Sequence, residues 1–95
     1  MPAYIIADIE VTDSARYDEY RKLAGPAVQR YGGRYLVRGG AHEVLEGDWA
    51  PHRVVLIEFS SAAQARAFYH SPEYAAARAA RKGASHSNLI VVEGA

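Results

Sequence analysis

The chain has 95 residues, 49% of them hydrophobic and 23% charged, which describes one ordinary globular domain near the lower end of what folds alone. Eleven Lys and Arg balance eleven Asp and Glu, and the basic residues are scattered, so neither nucleic acid nor an anionic membrane is an expected partner. With no cysteine, a disulfide framework and a thiolate metal site are excluded.

Met1-Pro2-Ala3-Tyr4 leads directly into strand-like residues, without the basic region and long apolar stretch of a signal peptide. No segment approaches the apolar length of a membrane span, and a cytoplasmic protein is the expectation. Residues 4–11 alternate, with Ile5, Ala7, Ile9 and Val11 on one side and Tyr4, Ile6, Asp8 and Glu10 on the other, the period of a strand. Thr12 and Asp13 suit the cap of a helix in which Tyr17, Tyr20, Ala24, Ala27, Val28 and Tyr31 form one apolar-aromatic stripe. Gly25-Pro26 interrupts that helix, because proline donates no amide hydrogen and crowds the preceding turn. The stripe resumes in phase, so a kink is expected there and the stop at Gly32-Gly33.

Residues 34–38 read as a strand, Gly39-Gly40 as a bulge or bend, and residues 42–46 as a second strand segment. Turn residues fill 47–51, and 52–59 carries the strongest strand pattern in the chain. Ser61-Ala62-Ala63-Gln64 matches a capping box and opens a helix through His70. Ser71-Pro72 restarts it, with serine as the cap and proline at the first helical position, and the alanine-rich run continues to Lys82 before Gly83. Residues 89–92 form the last strand. The order predicts a single α+β domain over residues 1–95, a ferredoxin-like βαββαβ unit whose four-stranded antiparallel sheet carries both helices on one face.

A sheet covered on one face should alternate apolar and polar residues. Here Val54 and Leu56 oppose Val55, Ile57 and Phe59, and Leu89 and Val91 oppose Ile90 and Val92. Leaving four such side chains in water would forgo on the order of 6–12 kcal/mol. That is comparable to the whole stability of a small domain, about 5–15 kcal/mol. A second copy of the same sheet is the simplest cover, so a homodimer through sheet faces is expected.

Several short motifs then become recognisable together: Gly32-Gly33-Arg34-Tyr35, Glu46-Gly47, Trp49, Pro51, Arg53, Glu58-Phe59, Tyr69, Ser71-Pro72-Glu73-Tyr74 and Arg81. In this order and spacing the chain resembles, over essentially its whole length, the domain-of-unknown-function family 1330, a branch of the dimeric α/β-barrel superfamily. The resemblance implies a ferredoxin-like protomer that pairs through its sheet to close a dimeric α/β barrel. It implies no settled activity. Sister families include cofactor-independent monooxygenases, muconolactone isomerases and haem-binding proteins, but none of their motifs carries over to residues of this chain.

Tyr74, Arg78 and Arg81 are spaced i, i+4 and i+7, so they share a helix face. Two guanidinium groups so placed suit a carboxylate ligand, although a solvated helix face, or ion pairs with Glu58, Glu73 or an acidic partner residue, is the commoner role for such arginines. Trp49, in a turn beside Pro51, suits a pocket mouth or a dimer interface. Ser71 at a helix start is a cap before it is a nucleophile, and no Gly-x-Ser-x-Gly elbow is present. Of the four histidines, His42 and His52 are not expected to meet, and no metal-binding spacing occurs. His70, at the end of a helix segment, is the best general-base candidate, with Tyr69 beside it.

These residues point to a homodimeric small-molecule-binding protein, in its catalytic form a cofactor-independent enzyme acting on a small organic acid. A pocket between helices and sheet would be lined by Trp49, Arg53, Tyr69, His70, Tyr74 and Arg81, with His70 and Tyr69 handling protons and the others binding ligand. No metal or cofactor is expected. The alternative is a non-catalytic dimerisation or stress-associated module. It predicts no open cavity beside Tyr69 and Arg81, and Arg81 paired to a protein carboxylate.

Overall fold

Alternation along the first strand decides which side of the sheet is covered. The computed structural model describes all residues, 1–95. Strand β1 (Ala3–Val11) buries Ala3, Ile5, Ala7 and Ile9 on one side and leaves Tyr4, Ile6, Asp8 and Glu10 on the other. It is followed by α1 (Ser14–Arg30), β2 (Arg34–Arg38), β3 (Arg53–Phe59), α2 (Ala62–Tyr69), α3 (Pro72–Arg81) and β4 (Ser85–Glu93). The sheet order is β2-β3-β1-β4, with every neighbouring pair antiparallel. This is the expected ferredoxin-like βαββαβ arrangement, with its second helix divided into α2 and α3. No helix is long and apolar enough to cross a membrane.

Between sheet and helices, Ile5, Ala7, Ile9, Val55, Ile57 and Phe59 meet the stripe Tyr17, Tyr20, Ala24, Ala27 and Val28 of α1, together with Ala65, Phe68, Tyr74 and Ala77. The helix layer lies on this side only. The molecule is accordingly thin, 32 × 30 × 17 Å, and no second layer covers the other face of the sheet. On that open face Ile90 remains 60% exposed and Val92 41%, alongside the half-buried Ile6, Val54 and Leu56. Cross-strand pairs place Ile6 against both Leu56 and Ile90, so these apolar side chains form one continuous surface.

The caps anticipated from sequence are made. Asp13 accepts from Arg16 N at 3.2 Å, and Ser61 Oγ from Gln64 N at 3.1 Å. The Gln64 side chain does not reach back to complete the capping box. It donates instead to Tyr31 O at 2.8 Å, satisfying a carbonyl at the end of α1. Helix α1 continues through Gly25-Pro26, with Tyr31 N closing on Ala27 O, and the chain leaves it at Gly32, where φ is +76°. Gly33 then passes so close to Phe59 and Val28 that a Cβ would lie 2.7 Å from the Phe59 ring, so the turn into β2 is packed onto the core.

Three expectations need correction. Residues 42–46 form no strand; the whole connection 39–52 is irregular. A longer β2 would need partners on β3 before Arg53, and Pro51 has no N–H to offer a ladder. Gly39, with φ +73°, turns the chain away after its N–H bonds Val54 O at 2.8 Å. The bend expected at Gly39-Gly40 is thus present, but the bulge is not there: the register irregularity falls between Tyr35 and Val37. The last strand is longer than its apolar run: Ser85–Asn88 pair with β1 as well, because backbone bonding to Asp8–Val11 does not require apolar side chains.

Candidate functional site

The break between α2 and α3 creates a corner that a single long helix would not have. Ser71 Oγ donates to Phe68 O at 2.7 Å and accepts from Tyr74 N at 3.1 Å, so one hydroxyl both closes α2 and caps α3. Both its hydrogen-bonding roles are spent on backbone, which leaves a cap and no free nucleophile. The corner sets Tyr69 and His70 at the rim of an open cleft of about 570 Å3 between the helices and β4. Its floor is apolar, from Ile5, Leu89 and Val91, and its polar lining includes Arg66, Arg81 and Ser87. Val91, on the covered side of the sheet, is 41% exposed because the cleft lies over it.

Arg81 is 8% exposed and comes from the last turn of α3. Its single hydrogen bond runs from Nη1 to the Tyr74 hydroxyl at 3.2 Å. Its guanidinium carbon lies 4.7 Å from the centre of the Tyr20 ring, a cation–π contact. The Tyr20 and Tyr74 hydroxyls are 2.8 Å apart. Burial, and then the Tyr74 hydroxyl beside it, push the Tyr20 phenol well above the ordinary tyrosine range, so it stays a neutral donor or acceptor. No carboxylate pairs with Arg81. Glu58 is taken by Arg34 at 2.8 Å, and Glu73 by Arg30 at 2.8 Å and by the Tyr31 hydroxyl at 2.9 Å.

The six residues grouped from sequence are divided among three places. Tyr69, His70 and Arg81 share the cleft. Arg53 and Tyr74 line a narrow seam between α1 and the sheet, with Tyr17, Tyr20 and Tyr35. Tyr74, bonded to Arg81, stands between the two spaces. Trp49 stands apart from both. Its indole Nε1 donates to Asp8 Oδ2 at 3.0 Å, and Asp8 points to the open face of the sheet, so the tryptophan belongs to the face away from the helices. The His52 backbone N–H donates to the other Asp8 oxygen at 2.9 Å. That bond first, and the Trp49 indole second, hold the Asp8 carboxyl below the ordinary aspartate range.

His42 Nε2 lies 2.9 Å from Pro51 O, and His52 sits 3.8 Å from Asp8 and 3.6 Å from Glu10, so His42 and His52 serve the loop and sheet face. No cluster of three or more His, Asp or Glu side chains is arranged to hold a metal. Arg78 lies over the Tyr69 ring at 4.6 Å, a stacking role rather than a place in the cleft lining. Sequence reasoning missed Tyr20 and Arg66 as neighbours of Arg81, because they lie on helices whose pairing no local spacing reveals. Asp8 carried a signal that was readable: a carboxylate in the middle of an apolar strand implies a specific partner.

Among solved structures, a protein of unknown function from Rhodopseudomonas palustris is 22% identical, with a TM-score of 0.78 over 99% of this chain and 82% of that one. A dimeric ferredoxin-like protein of unknown function from Jannaschia sp. CCS1 is 12% identical, with a TM-score of 0.71 over 99% and 100%. SnoaB, a cofactor-independent oxygenase from Streptomyces nogalater, is 13% identical, with a TM-score of 0.68 over 99% and 93%. At these identities the likeness establishes the fold. No curated protein matches the sequence. The family model described as "Domain of unknown function (DUF1330)" matches residues 2–95, and the chain belongs to that family.

Proposed function

We propose that this protein is a homodimer that binds a small organic acid in the cleft beside Arg81. The observation that carries the reading is a buried guanidinium with one hydrogen bond, no acidic partner and an open cleft next to it. Burying a cation without a counter-charge is costly, and guanidinium prefers a bidentate carboxylate. A ligand carboxylate supplies what the protein withholds. The cleft volume falls in the range of small-molecule sites, roughly 300–1,000 Å3, and its apolar floor suits a short carbon skeleton.

In this reading Arg81 anchors the acid, Arg66 adds positive charge at the entrance, and Tyr69 and His70 flank the bound molecule. His70 brings an imidazole, with a nitrogen that can accept a proton, to the rim of the cleft, which makes it the general base of the catalytic form of the proposal. Tyr74 supports the anchor from behind through its hydroxyl, Arg53 lies beyond it in the seam, and Trp49 belongs to the dimer surface. The dimeric ferredoxin-like neighbour and the uncovered apolar face both favour pairing through the sheets.

Crystals soaked with short mono- and dicarboxylic acids test the anchor. Density for a carboxylate within about 3 Å of the Arg81 guanidinium is the expected result. An empty cleft at high soak concentration, or an acid bound elsewhere while Arg81 keeps only its tyrosine contacts, contradicts it.

A further inference from the structure

Three arginines converge on the far side of the Tyr20–Tyr74 pair from the cleft, and none has an acidic partner. Arg21 comes from α1, Arg38 from the end of β2 and Arg53 from the start of β3; with Tyr17 and Tyr35 they line the seam between α1 and the sheet. The Arg38 guanidinium carbon lies 4.2 Å from the Tyr35 ring centre, and that of Arg21 5.5 Å from the Tyr17 ring centre. Arg53 Nε is buried and makes no hydrogen bond. The ion pairs in the molecule involve Lys22, Arg30, Arg34 and His52, and none of these three arginines.

Like charges gathered in one place repel, and the chain has as many acidic residues as basic ones with which to offset them. Yet no carboxylate pairs with any of the three, and the backbone is shaped to keep Arg53 in position. Gly39 adopts φ +73°, and a Cβ there would fall on the Arg53 guanidinium. The strand end is held over that guanidinium by the bond from Gly39 N to Val54 O. Burial raises the Tyr17 phenol above its ordinary range while the Arg53 guanidinium opposes the shift, so the phenol remains available as a donor.

We propose that Arg21, Arg38 and Arg53 form a binding site for a phosphoryl group. The three side chains reach the seam from three different elements. A planar carboxylate offers its best two-oxygen edge to one bidentate partner, whereas a tetrahedral phosphate presents several oxygen pairs and close to two negative charges. The seam itself, about 30 Å3, has room for little more than a water, so the phosphoryl oxygens sit at its mouth and the rest of the ligand lies outside. This mouth opens on the helix side, so pairing of two copies through their open sheet faces leaves it accessible. The site does not depend on acid binding beside Arg81.

Inorganic phosphate, titrated at fixed ionic strength against chloride, tests the proposal through the arginine Nε–Hε signals of isotope-labelled protein. Saturable shifts of the Arg53 and Arg38 signals are expected. Arg21→Gln and Arg38→Gln should each weaken the affinity about tenfold, while Arg30→Gln, which removes an exposed cation outside both sites, leaves it unchanged. Arg21 and Arg38 are exposed, so both variants should fold, and their backbone amide spectra report whether they do. The absence of a saturable shift beyond chloride overturns the proposal. So does unchanged affinity in both variants, or equal affinity for acetate.

Discussion

Arg81 and Asp8 show opposite ways of treating a charge in a small domain. Arg81 is held by aromatic rings and one hydroxyl, with its counter-charge missing. Asp8, whose side chain is 18% exposed, receives one donor on each oxygen and is fully employed in fixing residues 49–52 to the sheet. Because its folded pKa is lowered, the stabilisation from Asp8 is complete above the ordinary aspartate value, about 3.9, and is lost as pH falls through the lower folded value. Trp49 is the single tryptophan, so its fluorescence reports this anchor alone. An emission change below about pH 4 is expected, preceding loss of far-UV helical signal. Asp8→Asn should abolish it, because asparagine does not titrate and turns an amide donor toward one of the two N–H groups. An unchanged acid transition in that variant would show that Asp8 does not hold the loop.

At the level of elements, the α2–α3 corner positions Tyr69 and His70, and its integrity rests on Ser71. Ser71→Ala removes the cap bond to Tyr74 N and the bond to Phe68 O together, at an expected cost of about 1–2 kcal/mol in urea denaturation. A loss of only a few tenths would mean that Pro72 alone sets the corner. This element was legible in the sequence, since Ser-Pro at a helix start is a local signal. So were β1 and β3, whose alternation of Ile5, Ala7 and Ile9 and of Val55, Ile57 and Phe59 matches the buried face residue for residue. The segment 42–46 was not. Its residues suit a strand, but strand formation needs a partner, and whether β3 extends past Pro51 is decided by the assembled sheet. The position of Trp49 was hidden for the same reason: only the folded connection shows that it lies over Asp8. The arginine seam escaped notice because Arg21, Arg38 and Arg53 lie on three separate elements, at no common spacing.

For the whole molecule, a helix layer on one side and bare apolar strands on the other make pairing of two sheets the natural completion. Leu56, half-buried on the open face of β3 and across from Ile6, is remote from the cleft lining. Leu56→Lys should convert the proposed dimer to a folded monomer in sedimentation experiments, since it would set a charge where the two apolar faces would meet. A variant that sediments like the unaltered protein would move the interface elsewhere. The proposed function turns on Arg81, which is buried and has no carboxylate partner within the chain. Replacing a buried, unpaired cation with an apolar side chain of similar length is often neutral or stabilising. Arg81→Met should therefore keep or raise the melting temperature without ligand. The most direct measurement is thermal unfolding of the unaltered protein and Arg81→Met, side by side, with a panel of short carboxylic acids and their primary amides. A dose-dependent rise in Tm is expected for at least one acid in the unaltered protein, none for its amide, and none for either in Arg81→Met. Equal rises with acid and amide, or an acid response that survives Arg81→Met, would contradict it.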